Sequence, residues 1–144
     1  MQKHRNRKKQ ETGTSHDYFL MTKDIATKLL NTYGEAWMTR DPDLIVTIFS
    51  PDATYHDPRE PKNIGREAIR AYWVSKVIGE QADIEFTLRH VWVDGDTVIA
   101  EWHAEFTDTK RNLRIKMDEV GIFTVEGELF SALREYYTSE KTPL

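Results

Sequence analysis

The spacing of hydrophobic positions changes once along this 144-residue chain, near Gly79. Before that glycine, apolar residues recur every three to four positions, as they do along one face of a helix. After it, apolar and polar residues alternate, which is typical of half-buried strands. Helices followed by an antiparallel meander predict an α+β fold.

Three helices are predicted in the first half of the chain. The first spans about residues 17–39. Asp41 caps the second, with a proline at its first position, and a Ser-Pro-Asp run at 50–52 ends it. A short strand over residues 53–57 then leads into a loop rich in proline, and Gly65 opens the third helix. The loop after the short strand therefore lies between two amphipathic segments.

Four β-rich runs follow, separated by residues that favour turns, such as Asp-Gly at 94–95 and Glu-Gly at 126–127. The runs cover residues 83–93, 97–107, 112–125 and 128–138.

The charge of the chain is unevenly distributed. The net charge is −4, but residues 1–10 contain five Lys or Arg and no acid, which leaves residues 11–144 with a net charge of −9. We interpret residues 1–15 as a disordered basic tail and residues 16–144 as one domain. The tail alternatively contacts nucleic acid or anionic lipid, but an acidic body without a basic stripe makes nucleic acid an unexpected main partner.

Several classes of site are disfavoured by what the sequence lacks. There is no cysteine, so disulfides and thiolate metal sites are excluded, and the five histidines show no spacing typical of metal ligands. No glycine-rich nucleotide motif is present, and no apolar run reaches the ~20 residues that a membrane span needs. We therefore predict a cytoplasmic protein with no metal, no cofactor and no membrane partner.

Three segments carry a resemblance to a known superfamily. They are FSPDATYHDP at 49–58, the Gly65, Ile69, Tyr72 spacing, and FTVEGELFSALREYY at 123–137. In this order they resemble the NTF2-like superfamily, in particular its SnoaL-like and ketosteroid-isomerase-like branches, over about residues 17–138. The resemblance implies a cone in which the helices pack on a strongly curved, mainly antiparallel sheet and enclose a pocket.

The ketosteroid-isomerase-like branch implies three catalytic positions. Asp57, in its Asp-Pro turn, matches the general base, and Tyr33 and Glu119 match the two groups that stabilise the oxyanion. A neutral Glu119 can donate a hydrogen bond only where apolar surroundings raise its pKa. Arg134 on the next strand would keep Glu119 ionised if it pointed inward. Each residue also has a purely structural interpretation: Asp57 bonds amides of its turn, and Tyr33 is a core tyrosine.

A small apolar or cyclic ligand is expected in this pocket. The side chains expected to contact it are Trp37, Tyr55, Trp73, Trp102, Arg134 and Tyr136. Core packing remains the alternative for each aromatic residue.

Two functions stay open from the sequence. The first is cofactor-free acid-base chemistry, isomerase-, cyclase- or dehydratase-like, on a small cyclic or polyketide- or steroid-like substrate. The second is a non-catalytic ligand-binding or dimerisation module. In both cases the resemblance implies a homodimer formed through the outer face of the sheet, where Val120 and Ile122 are suitable apolar residues.

Overall fold

A computed structural model describes residues 19–144. The predicted basic tail lies outside these residues. Within them the helices are α1 (Lys23–Met38), α2 (Pro42–Val46) and α3 (Arg66–Trp73), and α3 continues as a π-helical turn over Val74–Ile78. The strands are β1 (Phe49–His56), β2 (Asn63–Ile64), β3 (Gln81–Asp94), β4 (Thr97–Asp108), β5 (Leu113–Glu126) and β6 (Leu129–Pro143). Among residues 19–144, no helix combines the length and apolarity needed to span a membrane.

The six strands form one curved sheet in the order β2-β1-β6-β5-β4-β3. All neighbours are antiparallel except β1 and β6, which run parallel. The helices cover the concave face, so the predicted α+β cone is confirmed. The register places Trp102 of β4, Glu119 of β5 and Tyr137 of β6 in one row across the sheet.

Helix α1 starts after Thr22, whose side chain accepts a hydrogen bond from a backbone N–H group of the first turn. The Thr22 hydroxyl accepts from Ile25 N at 3.2 Å, so the predicted start near residue 17 is several residues too early. Its buried face carries Ala26, Leu30 and Tyr33, which recur at helical spacing. This face presents Tyr33 to the interior of the cone.

The second helix is shorter than its sequence pattern suggests. Asp41 caps α2 as predicted, because its Oδ1 accepts from Asp43 N and Leu44 N at 3.0 Å each. The helix ends at Val46, however, and Phe49 already pairs with Phe130 of β6. The predicted end at residues 50–52 is wrong because parallel pairing with β6 recruits those residues into β1.

Strand β6 changes face at a bulge. Thr124 of β5 pairs with Ala132, but the next residue, Val125, pairs with Phe130, so Ser131 is an extra residue without a partner. Phe130 and Leu133 are consequently both buried, although they are an odd number of residues apart. Beyond the bulge, the odd-numbered residues of β6 face the interior.

Aromatic rings fill the narrow part of the cone around Tyr33. The centroid of its ring lies 5.2 Å from that of Trp102 and 5.9 Å from that of Trp73. Trp102 can lie flat against β5 because Gly121 has no side chain there. A Cβ at Gly121 would come within 2.6 Å of the Trp102 ring and 2.7 Å of the Phe123 ring.

We therefore expect Gly121→Ala to destabilise the protein by about 1–3 kcal/mol, because the added methyl overpacks a closed aromatic cluster. Denaturant unfolding followed by tryptophan fluorescence measures this change. Gly79→Ala is the matched control, since a Cβ there meets only Val74 O at 3.4 Å in helical backbone. Equal stability of the two variants would contradict the packing that we describe.

Candidate active site

A cavity of about 280 Å³ lies between α1, α3, the π-helical turn and the concave face of β3 to β6. The three residues that the sequence analysis assigned to catalysis, Tyr33, Asp57 and Glu119, all line it. Trp37, Tyr55 and Trp73, expected to contact ligand, line it as well. Side chains distant in sequence therefore share one space.

Asp57 follows β1 directly and is held as a hydrogen-bond acceptor from three directions. The Tyr137 hydroxyl donates to its Oδ1 and Oδ2 at 3.1 and 3.3 Å, and the Tyr72 hydroxyl donates to Oδ2 at 3.3 Å. Arg59 N donates to Oδ1 at 3.0 Å, which closes the turn after the strand. Donors of this kind stabilise the carboxylate and fix its orientation in the cavity wall.

Two further carboxyl groups lie at the buried end of the cavity. Glu119 of β5 and Glu135 of β6 are 3% and 5% exposed. Glu135 pairs with Gly121 and Glu119 with Tyr137, so the two glutamates are diagonal neighbours on the concave face. We call them the glutamate pair.

Two tyrosines hold one member of the glutamate pair. The Tyr55 hydroxyl donates to Glu135 Oε1 at 2.6 Å, and the Tyr33 hydroxyl donates to the same oxygen at 2.9 Å. The two hydroxyl oxygens are 3.1 Å apart. Tyr33 is thus inside the cavity wall as expected, but its proton is directed to Glu135.

The electrostatics of the glutamate pair favour protonation. Burial and the negative charge of Glu135 raise the pKa of Glu119 well above its ordinary value. Burial raises the pKa of Glu135 to about 7, although the hydrogen bonds from Tyr55 and Tyr33 act in the opposite direction. Near neutral pH the pair therefore contains at least one carboxylic acid.

Three of the expected ligand contacts lie elsewhere. Arg134 and Tyr136 are exposed on the outer face, and alternation counted from buried Phe130 would have put both inside. The bulge at Ser131 reverses that alternation, so the two residues are corrected to the outer face and Arg134 does not approach Glu119. Trp102 is fully buried behind the cavity wall rather than lining it.

The sequence analysis missed Glu135, Tyr137 and Tyr72. Leu133, Glu135 and Tyr137 occupy every second position of β6 and so share one face of the strand. The spacing of the two polar residues from buried Leu133 was the available signal. It becomes readable only when the bulge before Leu133 is known. Tyr72 belongs to the spacing that carries the family resemblance, but nothing in the sequence connected it to Asp57.

The mouth of the cavity is charged. The Arg59 guanidinium lies over the Tyr137 ring, 4.9 Å from its centroid. Lys76 Nζ, which the π-helical turn brings to the mouth, contacts Glu60 at 2.8 Å. Arg111 contacts Asp108 at 3.0 Å. The Lys76–Glu60 pair joins the π-helical turn to the loop after β1, whereas the Arg111–Asp108 pair lies within the turn after β4.

The arrangement is suited to proton transfer. It combines an oriented carboxylate, Asp57, with a buried carboxylic acid in a cavity walled by aromatic rings. Among residues 19–144 no group of three or more His, Asp or Glu side chains is arranged to hold a metal ion.

Comparison with solved structures defines the class of fold as NTF2-like. An NTF2-like protein from Anabaena variabilis superposes with a TM-score of 0.72 at 19% identity, over 91% of this chain and 96% of that chain. A protein of ketosteroid-isomerase-like fold from Catenulispora acidiphila, solved with trimethylamine, gives a TM-score of 0.70 at 21% identity, over 82% and 88%.

The SnoaL-like domain family matches residues 30–133, and the chain belongs to that family. SalBIII, an epoxide hydrolase/cyclase-like enzyme in pyran ring formation of the polyether salinomycin, is 28% identical with a TM-score of 0.67. That comparison covers 82% of this chain and 95% of SalBIII. A comparison with curated proteins found no significant match.

The glutamate pair makes the free energy of unfolding dependent on pH. Because the pKa of Glu135 is raised from 4.5 to about 7, the folded state binds its proton more tightly than the unfolded chain does. The contribution of Glu135 to stability should be greatest below about pH 4.5 and be lost as pH rises towards about 7. Glu135→Gln should reduce that loss and stabilise the protein by about 2–3 kcal/mol at higher pH.

Urea unfolding at a series of pH values measures the effect. Glu140→Gln is the matched control, because Glu140 lies on the same strand and is exposed. Identical pH profiles for the Glu135 variant and the wild type would contradict the raised pKa.

Proposed function

We propose that this protein is a cofactor-free acid-base enzyme that opens, closes or isomerises a small cyclic or polyketide-like molecule. The observation that carries the proposal is that Asp57 and Glu119 line one cavity in different surroundings. Asp57 is held by hydroxyl and amide donors, whereas burial beside Glu135 favours the acid form of Glu119. One site can supply both a base and an acid when its two carboxyl groups lie in such different environments.

In this proposal Asp57 is the general base. It accepts a proton from a substrate hydroxyl, from water or from carbon, while Glu119 gives its proton to the oxygen on which negative charge develops. For ring formation, the substrate hydroxyl loses its proton to Asp57 and forms the new C–O bond. The old C–O bond breaks, and its oxygen receives the proton of Glu119. The substrate and product then differ only in connectivity, and no redox partner is required.

Ring formation or opening is favoured over a purely oxyanion-stabilised isomerisation. The Tyr33 hydroxyl, which would donate to an oxyanion, already donates to Glu135. A carboxylic acid that can transfer its proton completely suits an oxygen leaving group. The similarity to SalBIII supports the same choice.

The ligand in this proposal is neutral and largely apolar. Trp37, Tyr55 and Trp73 supply aromatic walls for its body, as small-molecule cavities commonly do. The small ligand bound to the Catenulispora protein supports small-molecule binding in general. The cysteine-free sequence is compatible with a cytoplasmic location, which we retain as part of the proposal.

Asp57→Asn tests the catalytic proposal. The amide keeps the shape of the side chain but cannot accept a proton, so turnover should fall by about 10²–10⁴-fold. A panel of small epoxy alcohols and cyclic unsaturated ketones, followed by NMR for products of unchanged mass, provides the assay. Asp52→Asn, at an exposed position on the strand that precedes Asp57, should leave turnover unchanged.

Thermal unfolding of both variants separates catalysis from folding. An Asp57→Asn protein that folds normally and turns over a panel substrate at the wild-type rate would contradict the proposal. So would a wild-type protein that binds panel compounds in the cavity without converting any of them. That second outcome would favour the non-catalytic alternative, a ligand-binding module.

A second copy of the chain is the proposed partner on the outer face of the sheet. Cross-strand pairing aligns Trp92 with Ile99, Ile99 with Ile122, and Val120 with Tyr136. We call these five residues the outer patch. Trp92 and Tyr136 are 52% and 51% exposed, which is unusual for large rings on one face unless a partner covers them.

Ile122→Lys should convert a dimer into a monomer, because an ammonium at the centre of the outer patch would be buried directly opposite Arg134, a group of the same charge. Sedimentation velocity at micromolar concentration measures the change. Glu128→Lys, in the exposed β5–β6 turn, is the control and should remain dimeric. A wild-type protein that is monomeric under these conditions would contradict the dimer.

A further inference from the structure

We propose that Glu135 is a positioning residue that fixes the proton of the glutamate pair on Glu119, and that Tyr33 and Tyr55 make this possible by holding Glu135 as the carboxylate. The inference deepens the proposed function and rests on it for its catalytic meaning. It assigns a task to three buried side chains that do not themselves exchange protons with the substrate.

The hydrogen bonds distinguish the two glutamates. Glu135 Oε1 accepts from two phenolic hydroxyls, at 2.6 and 2.9 Å. Glu119 lines the cavity, and no tyrosine hydroxyl among residues 19–144 donates to it. Burial and Glu135 raise the pKa of Glu119 and outweigh the neighbouring Trp102 indole, which lowers it. Charge-assisted hydrogen bonds from hydroxyls favour the ionised form of their acceptor. The negative charge of the pair therefore belongs on Glu135, and Glu119, which lines the cavity, is the member that carries the proton.

The surroundings require the pair to share a proton. The titratable groups that face it are Asp57 at the end of β1, Tyr33 on α1, Tyr55 on β1, Tyr72 on α3 and Tyr137 on β6. None of these supplies positive charge. Within residues 19–144, no Lys, Arg or His forms a salt bridge with either glutamate. Two adjacent buried carboxyl groups without a cation cannot both be ionised at neutral pH.

The tyrosines stay protonated donors under the same conditions. Burial and the nearby negative charge of Glu135 raise the pKa of both Tyr33 and Tyr55 well above the ordinary value. Neither hydroxyl can therefore surrender its proton to Glu135. They stabilise its charge and leave the shared proton on Glu119.

This arrangement supports repeated turnover. When Glu119 gives its proton to the substrate oxygen, two carboxylates face each other in a buried site, which is unfavourable. Glu119 is then strongly driven to recover a proton. The proton that Asp57 accepted in the same cycle balances this recovery, through the product or water in the cavity. A donor of this kind selects a ligand with a neutral acceptor oxygen at its buried end.

Carbon-13 NMR of the full-length protein, labelled at the glutamate carboxyl carbons, tests the assignment without any substrate. Glu119→Gln and Glu135→Gln identify the two signals. Across about pH 5 to about 9, the Glu119 carboxyl should remain protonated to higher pH than the Glu135 carboxyl. Glu135→Gln should lower the pKa of Glu119 by about one unit or more, because it removes the adjacent charge.

Tyr55→Phe provides an independent test should Glu135→Gln fold poorly. It removes the 2.6 Å hydrogen bond that lowers the pKa of Glu135, so that pKa should rise. Tyr136→Phe, on the outer face, is the control and should change neither carboxyl signal.

Three outcomes would overturn the inference: a proton found on Glu135 with Glu119 ionised, two carboxyl groups with ordinary pKa values, or equal effects of the Tyr55 and Tyr136 variants. The first of these would instead favour a cationic amine as the ligand of Glu119.

The proposed function is tested separately, by the Asp57 assay. A proton located on Glu119 in a protein without turnover would support the pair while removing its catalytic meaning.

Discussion

The structure depends on the burial of two carboxyl groups next to each other, with no cation of residues 19–144 within salt-bridge distance. An isolated buried charge is too costly to persist, so the surroundings of Glu119 and Glu135 have to supply a shared proton and hydrogen-bond donors. Tyr33 and Tyr55 provide the donors from α1 and β1. The elements of the cone are thus connected through one polar group at its buried end, inside an otherwise aromatic core.

The same requirement explains why the cavity is divided into two environments. Near the mouth, Asp57 is half-buried and accepts hydrogen bonds from two tyrosines and a backbone amide. At the buried end, burial raises the pKa values of the glutamate pair. A fold that closes a curved sheet at one end and leaves it open at the other generates this gradient of solvation. It places carboxyl groups in different surroundings, which is how one site can supply both an acid and a base.

Backbone details far from the charges set the positions of these groups. The bulge at Ser131 turns Glu135 and Tyr137 inward, and without it Arg134 and Tyr136 would occupy the concave face. An arginine beside Glu119 would form an ion pair and leave no acid. Gly121 has a comparable effect, because it makes room for the Trp102 ring beneath the site. One extra residue and one missing side chain thus decide the chemistry.

The sequence by itself determined the α+β class and most strand boundaries, because these follow from local periodicity. The resemblance of its segments to a known superfamily also placed Asp57, Tyr33 and Glu119 in one cavity. It misplaced the start of α1 and the end of α2, where capping by Thr22 and parallel pairing with β6 override local propensity. Only the tertiary structure decided that Glu135 faces Glu119 and that Tyr137 holds Asp57. The physical reason is that side-chain alternation carries no information across a bulge, and the bulge itself is fixed by pairing between β5 and β6.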